Sequence, residues 1–132
     1  MKLITRDTDY AIRAVCYLAG RTQVVTSVAE LAQRLKIPRS FLRKILQVLN
    51  RERVLKSYKG QGGGFMLALR PDNITLADLV EIFQGDFKIN ECRLRKMNCP
   101  NARRCILKKK LDSIEEYVAR QLEAVLLQDL LK

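Results

Sequence analysis

The stretch "SVAELAQRLKIPRSFLRKILQVLNRERVLKSYKGQGGGFMLALR" (residues 27–70) decides the fold. It opens with Ser27 followed three residues later by Glu30, a capping-box pattern in which each side chain satisfies a free amide of a helix's first turn. That predicts a helix over about 27–35. After a short turn a second helix starts near Pro38, with Phe41, Leu42, Ile45, Leu46 and Leu49 on its apolar side. Arg39, Ser40, Arg43, Lys44 and Gln47 fall largely on the other. Two helices joined so tightly, the second rich in basic and amide side chains, fit a helix-turn-helix whose second helix enters a DNA major groove. A packed helical hairpin with a solvated polar face fits these residues equally well. The residues after the second helix separate the two readings. "RVLKSYK" and "GFMLALR" read as short strands joined by "GQGGG", a composition suited to a tight, sterically unhindered turn. A β-hairpin directly after a recognition-type helix is the wing of a winged helix. The glycine run also resembles a phosphate-binding loop, but it lies between two strands and lacks the Gly-Lys-Ser/Thr ending, so nucleotide binding is rejected.

Upstream, "DTDYAIRAVCYLAG" places apolar or small residues at 11, 14, 15 and 18, one helical face, with Gly20 as the stop. Cys16 falls inside this helix and reads as a small buried hydrophobe. Downstream, "ITLADLVEIFQG" reads as a short helix capped by Thr75, with Leu76, Leu79, Val80 and Phe83 on one face and Gly85 near its end. From about 104 the chain reads as helical to its end, with Leu107, Leu111, Ile114, Val118, Leu122 and Val125 spaced by threes and fours. Such a stripe exceeds what the chain's own core covers. The expected cover is the same helix of a second subunit, giving a two-fold homodimer that presents two recognition helices to a palindromic site. The alternative is a helix folded back on its own domain. The expected fold class is mainly α with a small β-hairpin. A winged helix-turn-helix DNA-binding domain is expected over residues 1–84, a cysteine-bearing loop over 85–105 and a dimerisation helix over 106–132.

A chain of 132 residues accommodates one such domain plus an extension. Its net charge of +11 favours a polyanionic partner, and the distribution sharpens this. Residues 1–71 carry 14 basic and 4 acidic side chains, whereas residues 72–132 carry 11 and 10. Double-stranded DNA is therefore expected on the N-terminal half. The start, "MKLITRDTDY", lacks a signal peptide's apolar core, and no apolar run approaches the roughly 18 residues of a membrane span, so a cytoplasmic protein without a membrane partner is expected. Thiols stay reduced there, and clustered cysteines then point to metal binding or redox chemistry over structural disulfides. "ECRLRKMNCPNARRC" (residues 91–105) holds three, Cys92, Cys99 and Cys105, spaced C-x6-C-x5-C among Arg and Lys side chains. The spacing is not that of a usual zinc site, which draws on short C-x2-C or C-x4-C pairs and often histidine. With no histidine and no nucleotide loop, an enzyme built on this stretch is not expected.

Taken in order, "DYAIRAVCYLA", "SVAELAQRLKI", "FLRKILQVLNRERVLKSYKGQGGGFMLA", "ITLADLVEIFQG" and the three spaced cysteines resemble one family across nearly the whole chain, the IscR/NsrR-type winged-helix transcription regulators of bacteria. The resemblance implies a homodimeric DNA-binding regulator whose cysteines hold an iron-sulfur cluster, 2Fe-2S or 4Fe-4S, that alters DNA affinity. It implies cluster ligation by Cys92, Cys99 and Cys105, base reading by the helix around Arg39, Ser40, Arg43 and Lys44, and minor-groove contact by Lys59 and Gln61 of the wing. Relatives often carry Glu where Arg43 stands and Arg where Lys59 stands. Glu accepts from cytosine whereas Arg donates twice to guanine, so the operator sequence does not transfer. Some relatives use a His three residues after the third cysteine as a fourth ligand; here that position is Lys108, whose ammonium does not coordinate. Others recruit a first-helix carboxylate from the partner subunit, a position that Asp9 matches. The ordinary role for Asp9 is a helix N-terminal acid interacting with the macrodipole. A metal-free or zinc-bound thiol redox regulator is the alternative to a cluster sensor.

Overall fold

The computed structural model describes residues 2–89 and 104–131, so that Cys92 and Cys99 lie outside the described residues. Helix α1 (Arg6–Ala19) is capped by Thr5, whose hydroxyl oxygen accepts the Thr8 amide at 3.4 Å, and buries Ala11, Ala14, Val15 and Leu18. Helix α2 (Val28–Leu35) is capped by Ser27, which accepts from the Glu30 amide at 3.1 Å. The capping box expected there is only half present. Glu30 turns its carboxylate away, pairing with Arg21 and accepting from the Tyr17 hydroxyl at 3.1 Å, because an ion pair to the end of α1 is within reach of this side chain. Lys36 takes a left-handed conformation (φ 56°) to end α2, and Pro38 caps helix α3 (Arg39–Arg51). The turn between them is that of a helix-turn-helix.

Helix α3 packs Leu42, Ile45, Leu46 and Leu49 into the core. Phe41, expected on the apolar side, stays 37% exposed at the edge of that stripe, where its ring lies under the Arg6 guanidinium at 4.5 Å. Arg53 (φ 63°) turns the chain into strand β1 (Leu55–Tyr58), which pairs antiparallel with β2 (Gly64–Leu67) in the register Leu55 to Leu67 and Tyr58 to Gly64. The strands are shorter than their seven-residue sequence segments. The hairpin is held to the body by a bridge between Thr26 and Phe65, with amide-to-carbonyl distances of 2.9 and 2.8 Å, which ties the wing to the residue before the α2 cap.

A 3-10 turn (Pro71–Asn73) leads to helix α4 (Leu76–Gln84), where Thr75 and Asp78 form a complete capping box at 3.1 and 2.9 Å. Helix α5 (Ile106–Ala124) differs from the sequence expectation in its end. It stops at Ala124 instead of running to the terminus. Leu76 donates to the Val125 carbonyl at 2.9 Å and Leu127 to that of Ile74 at 2.8 Å, drawing the chain into a 3-10 turn (Leu127–Leu130) that buries Leu127 almost completely. Toward its other end α5 leaves Ile106, Leu107, Ile114 and Tyr117 more than half exposed. Among the described residues, no helix is long and apolar enough to cross a membrane.

Candidate nucleic-acid interface and cysteine site

The buried stripe of α3 fixes which of its side chains face outward. Arg39, Ser40, Arg43, Lys44 and Gln47 are all exposed, four of them the residues expected to read bases. No acidic side chain lies in the first turn of α3, so nothing on that turn opposes a phosphate's approach. Lys59 and Gln61 lie in the turn joining β1 to β2 and are exposed as well. Gly60 and Gly62 both carry positive φ (89° and 77°) in that turn, which is the conformational reason for its glycines. Arg53, Lys56 and Tyr58 add exposed cationic and phenolic groups along a groove beside β1, a set that sequence reasoning did not single out.

Of the three cysteines expected as ligands, Cys105 lies among the described residues. Cys105 is half-buried at the N-cap of α5, where its Sγ accepts the Lys108 amide at 3.4 Å. A helix start presents free amides to a bound anion, a setting that suits the donor atom of a negatively charged thiolate-ligated cluster. Cys105, held at the start of α5, would fit as one thiolate donor to an iron-sulfur group. Lys108, in the position of the absent histidine, pairs with Asp112. Cys16 stands apart on α1, packed against the core, and burial pushes its thiol up from the ordinary value. It is a packing residue.

Asp9 lies in the first turn of α1, half-exposed, and its carboxylate pairs with Arg13 at 3.0 Å. Among the described residues, which leave out Cys92 and Cys99, no group of three His, Cys, Asp or Glu is brought together. A feature that sequence reasoning missed is Gln84, the last residue of α4, which hydrogen-bonds to the start of α1. Its partners lie 76 to 81 positions away, and no local pattern announces such a bond.

Residues 4–132 match the Rrf2 family profile, described as an iron-dependent transcriptional regulator. The HTH-type transcriptional regulator NsrR of Bacillus subtilis is 31% identical over 135 residues, covering 100% of this chain and 91% of that protein. In solved structures the fold is similar to CymR, the global cysteine regulator of B. subtilis (TM-score 0.83, 24% identity, 99% of this chain and 97% of that one). It is also similar to IscR of T. potens (TM-score 0.77, 21% identity, 99% and 86%).

Proposed function

This chain belongs to the Rrf2 family of transcriptional regulators and is not an enzyme, and on that premise we propose a homodimer that binds a palindromic operator and senses iron-sulfur status, redox state or nitric oxide through a 2Fe-2S or 4Fe-4S cluster. The observation that carries the DNA-binding half is the exposed basic face of α3 beside the glycine turn bearing Lys59 and Gln61. We assign base reading to Arg39, Ser40, Arg43 and Lys44, and minor-groove contact to Lys59 and Gln61. The DNA-binding unit is residues 1–84, the cysteine loop 85–105, and the dimer contact lies in the chain from 106 onward, where the apolar side chains of α5 are exposed.

Affinity should then fall steeply as salt rises, because each neutralised phosphate releases counterions. Arg43→Ala should relax discrimination at its base pair by about 1–3 kcal/mol, while Lys59→Ala weakens binding to all sequences and lowers the salt slope by about 1. Fluorescence anisotropy across a salt series reads both, and salt-independent binding would sink this surface.

Cys92, Cys99 and Cys105 would hold the cluster, with Asp9 of the opposite subunit as oxygen donor. When bound, the cluster supplies a centre that assembles, reacts and disassembles reversibly. To ligate iron, Asp9 must release Arg13, an exposed i,i+4 pair worth only about 0.3–0.5 kcal/mol, so the pair presents no barrier. An oxygen donor is a weaker partner for iron in a thiolate environment than a fourth thiolate, which suits a sensor. Asp9→Ala should shorten the cluster's lifetime in air without dissociating the dimer, followed by visible absorption and native mass spectrometry. An unchanged lifetime would return Asp9 to a helix-start role. A protein that stays colourless while its DNA affinity changes reversibly with thiol oxidation, or that carries zinc by mass, would replace the cluster reading with the thiol one.

A further inference from the structure

Gln84 ends α4, immediately before Gly85 (φ 75°), where the chain sets off toward the cysteine-bearing segment. Its Oε1 accepts from the Thr5 backbone amide at 3.0 Å and from the Thr8 hydroxyl at 2.7 Å, and its Nε2 donates to the Leu3 carbonyl at 3.2 Å. Thr8 is fully buried, so water does not replace its bond if the amide leaves, and the Thr5 hydroxyl at 3.0 Å is the one other side-chain partner it has among the described residues. One side chain therefore fixes the first turn of α1 from outside, in addition to the Thr5 cap. That turn carries Asp9, whose amide closes on the Thr5 carbonyl at 2.9 Å. It also carries Arg6, stacked on Phe41, and Phe41 sits next to Ser40 on the outward face of α3.

We propose that Gln84 is a positioning residue that transmits the state of the cysteine segment to the recognition helix. A shift of the chain at Gly85 moves the end of α4; the Gln84 bonds carry the first turn of α1 with it, and the Arg6–Phe41 contact passes the displacement to the start of α3. The apolar contacts between α1 and α4 are non-directional and tolerate sliding, whereas three converging hydrogen bonds fix both position and direction. The role rests on reading the cysteines as the sensing site.

The test compares full-length wild type, Gln84→Ala and Gln84→Glu, each with and without a reconstituted cluster, in anaerobic binding to a duplex selected by the wild type from random-sequence DNA. Wild type should show a ratio between its two affinities within the about 5–150-fold usual for coupled sites. Gln84→Ala should bring that ratio to within about 2-fold of unity, a loss of most of the coupling. Gln84→Glu, which keeps the acceptor for Thr5 and Thr8, should retain most of it. In cluster-free Gln84→Ala, amide exchange in the first turn of α1 should also quicken. A folded Gln84→Ala that loads the cluster and keeps the wild-type ratio overturns the role. If it does not fold, Gln84→Met, which keeps the length of the side chain and removes all three bonds, serves in its place, and an unchanged ratio there overturns the role equally. Wild type that loads no cluster, or binds equally in both states, fails the sensing reading itself and is recognised by that first arm alone.

Discussion

Anaerobically reconstituted protein in which Cys92, Cys99 and Cys105 are all replaced by Ala should take up no iron or sulfide above background, and its DNA affinity should no longer depend on reconstitution. Three of the proposed cluster ligands would then be gone, the sequence holds no histidine, and the remaining cysteine, Cys16, is packed against the core. Cys105 needs a separate control because it also caps α5 through the Lys108 amide. Losing a cap costs about 1 kcal/mol, small against a folding free energy of about 5–15 kcal/mol, so the single Cys105→Ala protein should fold and still fail to hold the cluster. Cys105→Ser restores a capping oxygen and should recover helix stability without recovering colour. Iron and sulfide analysis with visible absorption separates these cases. A triple variant that holds as much iron and sulfide as wild type would end the assignment.

Gly64→Ala should be a severely damaging single methyl in the wing. A Cβ there would press into the Thr26 carbonyl and lie 2.8 Å from Ser27 Cα, so every obstructing atom is backbone. Relief requires parting Thr26 from Phe65, at about 1 kcal/mol for each of two hydrogen bonds, with a further about 1–3 kcal/mol for residual crowding. The expected loss is about 3–5 kcal/mol, a fall in Tm of about 10–20 °C for a chain of this size. DNA affinity should drop as well, because the same bridge sets the wing beside the α2 cap. Gly60→Ala is the matched control. Its Cβ meets nothing within 4 Å, and its positive φ alone should cost about 1 kcal/mol. Chemical denaturation that finds the two substitutions equally mild would show that the wing is not pinned at Gly64.

Features written in adjacent residues were legible in the sequence. Ser27 and Thr75 announced two helix starts, the apolar spacing gave the inward faces of α1 and α3, and the glycines marked the hairpin turn. Partners far away in the chain were not legible. Glu30 has the local pattern of a capping box, yet an ion pair with Arg21 of the preceding segment outcompetes it. The segment "EAVLLQDLLK" contains neither Gly nor Pro, and its apolar spacing continues the stripe of α5; the helix ends because the edge formed by Ile74 to Leu76 offers backbone partners and a pocket for Leu127. The three bonds of Gln84 likewise depend on where α4 comes to rest. Of the candidate site, the outward side chains of α3 follow from the same periodicity that fixes its core.

The bonds from Leu76 to Val125 and from Leu127 to Ile74 pin the chain just past α5 to the start of α4, and Leu122 is buried near that end, whereas Ile106 and Leu107 at the other end are exposed. Nineteen residues at 1.5 Å rise set Cys105 about 28 Å from that pin. A tilt of about 5° at the fixed end would sweep the cysteine end through about 2.5 Å, enough to make or break the iron–ligand bond proposed for Cys105. The same leverage runs in reverse: motion at the tip reaches the core greatly reduced in amplitude and correspondingly increased in force.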